Sequence, residues 1–115
     1  MHSPVGSWLA RVERPSGTAE VGLHFTHGGL VFLVSGAHGV GFWRPFKNIF
    51  VYRIREAMMD NDGDYCGYID ILQRGKVTGG RLSSSGESRV YGADEALMRT
   101  VSIRINADPT PPAEP

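Results

Sequence analysis

The chain has 115 residues, enough for one domain built around a single core. Lysine plus arginine and aspartate plus glutamate number 12 each, for a formal net charge of +0, and the arginines are scattered singly along the chain. That balance argues against a nucleic-acid partner, whose phosphates call for a basic excess or a basic stripe.

Turn residues break the sequence every eight to twelve positions, the spacing of an antiparallel all-β domain. In chain order the predicted strands cover 5–14, 19–27, 30–35, 39–44, 48–60, 64–76, 81–91 and 96–106. The joints are PSG (15–17), HGG (27–29), SGAHG (35–39), RPFKN (44–48), NDGD (61–64), GG (79–80) and GADE (92–95). Each supplies a residue that tolerates positive φ or presets φ for a tight turn. Alternation then assigns faces. Trp8, Ala10 and Val12 share one side of the first strand, and Val21, Leu23 and Phe25 one side of the second. Phe50, Ile54 and Met58 align on the fifth, Ile69 and Ile71 on the sixth, and Val101, Ile103 and Ile105 on the last. No segment keeps a helical period, so no helix covers these apolar faces and the sheet must cover itself. Eight strands joined by short hairpins favour a closed up-and-down antiparallel barrel over a two-sheet sandwich, with an interior that is either filled or holds one small ligand.

The domain is expected to span 1–106, followed by a disordered Pro-rich tail, ADPTPPAEP (107–115). The stretch MHSPVGSWLARVERPSG (1–17) carries no apolar run long enough for a signal peptide or a membrane span. The expectation is a soluble, cytoplasmic protein without a membrane partner.

Chemistry-bearing residues are few. In IFVYRIREAMM (49–59) the inward set is Phe50, Tyr52, Ile54, Glu56 and Met58, which puts a carboxylate on an apolar face. Glu56 is a site carboxyl that hydrogen-bonds a ligand, its pKa raised by burial, or half of an internal ion pair with an interior arginine such as Arg81 or Arg89, or a rim residue near the hairpin that simply meets water. Tyr52 shares that face and is a candidate donor to a ligand carbonyl, unless its hydroxyl is spent on Glu56. Phe42, Trp43, Phe46 and Phe50 form either an aromatic wall for a ligand or ordinary core. His24, His27 and His38 lack the spacing of a metal site, and DNDGD (60–64) reads as a hairpin turn, because Met58 and Ile69 occupy the terminal ligand positions of a calcium loop. Cys66, the lone cysteine, has no adjacent base, and SSSGES (83–88) forms no nucleophile elbow. Neither a metal nor any other cofactor is expected.

GSW (6–8), LHFTHGG (23–29), HGVGFWRPF (38–46) and MMDNDGDYCGYIDI (58–71) together resemble small bacterial lipocalin-like, or calycin, barrels. That family's pattern runs Gly-Thr-Trp, Phe-Thr-x-Gly-Gly, His-Gly-x-Trp and Phe-Asp-x-Asp-Gly. The likeness covers about residues 6–72, with two residues inserted between His38 and Trp43, and it fades after residue 75. It implies a lipocalin-like barrel that takes an apolar small molecule in its mouth. More distantly, the β-barrel cyclases of tetronate and spirotetronate polyketide tailoring are similar at the level of fold. Two functions follow as expectations. One is a cofactor-free cyclase that closes a ring by a Diels–Alder-type step on a linear, largely apolar polyketide, with Tyr52 and Glu56 polarising a carbonyl. The other is a non-catalytic carrier or sensor of an apolar small molecule. Either needs an open pocket, expected to be walled by Trp43, Phe50, Ile54, Met58 and Ile69, with Trp8 and Phe25 contributing further apolar surface. A homodimer is expected through outward apolar residues assigned as Val31, Leu33, Ile49 and Val51.

Overall fold

The computed structural model describes residues 2–35 and 38–111. The strands are β1 (Gly6–Arg14), β2 (Gly17–Phe25), β3 (Leu30–Ser35), β4 (Gly39–Phe46), β5 (Ile49–Met59), β6 (Tyr65–Thr78), β7 (Arg81–Gly92) and β8 (Leu97–Pro109). Every strand pairs antiparallel with its sequence neighbour, and β1 pairs with β8 from Trp8↔Pro109 to Glu13↔Arg104, so the sheet closes on itself. The chain is therefore an all-β, eight-stranded, up-and-down closed barrel, compatible with a lipocalin-like fold.

Local chemistry explains the connections. At the β5–β6 hairpin the Asp60 carboxylate accepts the backbone N–H groups of Asp62 and Asp64, at 2.9 and 3.0 Å, and Gly63 takes φ 82. DNDGD is thus an Asx-type turn, as its residues suggest. The joint SGAHG includes Gly36 and Ala37, which lie outside the described residues.

Closure also depends on glycine in the wall. Gly41 on β4 faces inward opposite Ile54, and a Cβ there would collide with the Arg53 carbonyl of β5. The β4–β5 contact can be this tight only without a side chain at Gly41.

Two expectations need correction. β8 continues past Asn106 to Pro109: Ala107 is buried opposite Ala10 and Leu82, and the Thr110 N–H donates to the Ser7 carbonyl at 3.0 Å. Residues 107–109 therefore belong to the barrel, because their alternation continues that of Ile103 and Ile105. The remainder of the Pro-rich tail, 112–115, lies outside the described residues. On β3 the faces are reversed. Val31 and Leu33 are buried in the core, and Leu30 and Val34 are exposed. All five residues of LVFLV are apolar, so alternation carries no information there.

Candidate functional site

The interior divides into a packed half and an open half. Phe25 is the hub of the packed half: its ring meets Trp43 at 6.3 Å, Phe50 at 5.8 Å and Tyr52 at 5.3 Å, each nearly perpendicular. Such edge-to-face contacts suit the quadrupoles of the rings. Phe50 also stacks on Tyr52 at 5.8 Å. The two indoles close this end. Trp8 Nε1–H donates to the Pro4 carbonyl and Trp43 Nε1–H to the Thr26 carbonyl, both at 2.7 Å. The aromatic residues form a plug.

The open half holds a cavity of about 590 Å³. Its wall is apolar, formed by Val12 and Val21, Leu23 and Leu33, Ile54, Ile69 and Ile71, and Val90, Val101 and Ile103. The volume lies within the range of small-molecule sites. On β7 the inward residues run Leu82, Ser84, Gly86, Ser88, Val90; of these Ser88 and Val90 line the cavity, and the small Ser88 leaves room there. Gly75 on the neighbouring strand belongs to the packed half, where a Cβ would press within 2.7 Å of Ser84 and 3.0 Å of Phe50.

Tyr52 and Glu56 both line this cavity, at different depths. Four residues of strand separate them, about 13 Å at the usual rise. Tyr52 lies at the floor, buried at 1% exposure, and its hydroxyl bonds Ser84 Oγ at 2.7 Å. Ser84 in turn donates to Gln73 Oε1 at 2.8 Å, and Gln73 Nε2–H donates to the Ile103 carbonyl at 3.4 Å. Because the Ser84 proton goes to Gln73, the Tyr52 proton goes to Ser84. The chain is fully satisfied, and the phenol has only an acceptor position left. Burial pushes the Tyr52 pKa well above its usual range, and the Ser84 bond offsets this only in part. The internal Tyr52–Glu56 bond weighed from sequence does not form; Ser84 takes its place.

Glu56 sits near the mouth, half-buried, opposite Gly39 on β4 and Ile69 on β6. Among the described residues its carboxyl has no hydrogen-bond or ion-pair partner. Arg81 pairs instead with Asp108 at 3.1 Å, and Arg89 lies opposite Asp70 on the outer face, so neither suggested ion pair forms. Burial raises the Glu56 pKa above its ordinary value, with Arg14 and then His38 pulling it back. The carboxyl is an uncommitted polar group on the wall of an apolar cavity.

The remaining predicted contacts are divided between the two halves and the surface. Ile54 and Ile69 line the cavity, whereas Trp8, Phe25, Trp43 and Phe50 belong to or border the plug and do not. Met58 is half-buried at the rim, where a Cβ at Gly67 would come within 3.1 Å of its methyl carbon. Phe42 and Phe46 point to solvent, at 71% and 44% exposure, because alternation from Gly41 and Trp43 sends them outward. Sequence reasoning missed Arg14 and Arg99 at the mouth, and the buried trio Gln73, Ser84 and Ser88. The sequence carried no signal for Arg99, whose inward position follows only from the β7–β8 register that sets it opposite Val90. No group of histidine, cysteine, aspartate and glutamate among the described residues has metal-site geometry.

No family model, no curated protein and no solved structure matches this chain.

Proposed function

We propose that the barrel binds one small, largely apolar molecule in its open half. The cavity of about 590 Å³ carries this reading: an apolar wall and a single uncommitted carboxyl, Glu56, form the usual composition of a small-molecule site. Burying apolar ligand surface there supplies the affinity, at roughly 25 cal/mol per Å² removed from water, and Glu56 fixes orientation. The lipocalin-like motifs, GSW and DNDGD among them, are in keeping with it. The test is a fluorescence titration with Nile red, on the wild type and on Ser88→Phe, which projects a ring into the void. We expect saturable one-to-one binding to the wild type and at least a tenfold loss in a still-folded Ser88→Phe. Equal binding by both proteins would place the dye elsewhere and end the proposal.

A catalytic version of the reading has one specific observation in its favour. The raised pKa of Glu56 makes its carboxyl a better holder of a proton, and so a donor to a conjugated carbonyl. With the Tyr52 proton committed to Ser84, Glu56 is the better placed of the two. Ring closure of a bound linear polyketide gains and loses no atoms, so it requires chiefly that diene and dienophile meet. A polyketide synthase gene cluster around this gene would favour this version over a simple carrier.

A further inference from the structure

Resting on the small-molecule reading, we propose that the ligand is an amphipathic anion, with its apolar body in the lumen and a carboxylate at the mouth between Arg14 and Arg99. The charges that line the cavity point this way. Its lining carries two arginines, Arg14 and Arg99, against one acidic residue, Glu56, and Arg14 is near enough to act on that carboxyl. Arg14 stands where β1 turns into β2, and Arg99 stands on β8 opposite the inward Val90. Neither has a carboxylate within ion-pair distance among the described residues, whose salt bridges are Arg53–Asp70 and Arg81–Asp108. The arginines of the mouth are therefore available for a ligand, while those two on the outer wall are already paired.

Position separates the two halves of such a ligand. The deepest lining residues, Leu23, Ile54 and Ile105, are almost fully buried and offer no charge to a head group. The guanidinium groups lie only at the exposed rim, where a carboxylate stays partly hydrated and can be held by a planar fork of donors. A cationic head group would have Glu56 to pair with, but would face both arginines. A neutral alcohol could accept one hydrogen bond from a guanidinium but would leave the charge of both arginines unbalanced. The oxygen of Glu56 nearest the ligand serves as a hydrogen-bonding neighbour when that carboxyl holds its proton, which its burial favours.

The experiment is displacement of Nile red by decanoate, decanol and decylamine, three probes with one apolar body and different heads, on the wild type and on the double variant Arg14→Gln/Arg99→Gln. We expect decanoate to displace the dye at a concentration at least tenfold below that of decanol, with decylamine weakest. In the double variant the decanoate advantage should fall to within about threefold. Equal displacement by decanoate and decanol in the wild type would overturn the anion and leave the apolar pocket standing. Decylamine competing best would assign the head group to Glu56 and also overturn it. Absence of Nile red binding would sink the small-molecule reading and this proposal together.

Discussion

At Glu56 the surroundings set a sign that can be measured. Its carboxyl is half-buried without a partner among the described residues, and its pKa is raised from 4.5 mainly by burial. The folded state therefore holds the proton more tightly than the unfolded chain does. Stability from this group is fully present below about pH 4.5 and is lost as pH climbs through the raised folded value. Glu56→Gln cannot titrate and escapes that loss. Urea denaturation should show the variant and the wild type alike at acid pH, and the variant more stable at neutral pH. A less stable variant at neutral pH would mean that Arg14 and His38 more than offset the burial. Tyr52 illustrates the opposite arrangement. It was legible as an inward phenol, but its partners were not, because Ser84 and Gln73 lie on strands whose registers the sequence does not reveal.

Among the strands, legibility followed contrast between the two faces. β5 alternates cleanly between Phe50, Tyr52 and Ile54 inside and Arg53 and Arg55 outside, so both its extent and its faces could be read. β3 is apolar on both faces, so its extent was readable and its orientation was not. β7 turns serines and a glycine inward, so it lacked an apolar signature, although its Ser88 and Val90 line the cavity. The end of β8 was masked by proline-rich composition, even though Ala107 continues its inward row. Glycine at a close approach is decisive at Gly41, where a Cβ would strike the Arg53 carbonyl. Gly41→Ala should cost about 3 kcal/mol or more in thermal or urea unfolding, at the upper end for overpacking. A loss below about 1 kcal/mol would show that β4 and β5 can separate at little cost.

On the molecule as a whole, the outer wall of β3 and β4 is unusually apolar. Leu30 pairs across from Phe42, and Phe32 from Val40, with Val34 beyond them. Phe42, Val34 and Val40 are all more than half exposed. Patches of this kind mark contact surfaces, and a homodimer is the proposed use of this one. The outward residues that would carry it are these and the half-buried Ile49 and Val51, with Val31 and Leu33 excluded by their burial. Light scattering at micromolar concentration should return twice the 12.6 kDa chain mass, and Phe42→Glu should return one chain. A monomer mass for the wild type removes the claim.

The division of the barrel into an aromatic plug and an open half can be tested residue by residue with backbone amide chemical shifts during a Nile red titration. Saturable shifts are expected at Ile54, Glu56, Ile69, Ser88, Val90 and Val101, with Trp8, Phe25 and Trp43 scarcely moved. Shifts centred on Phe25, Trp43 and Phe50, or on the outer face around Phe42, would contradict that division.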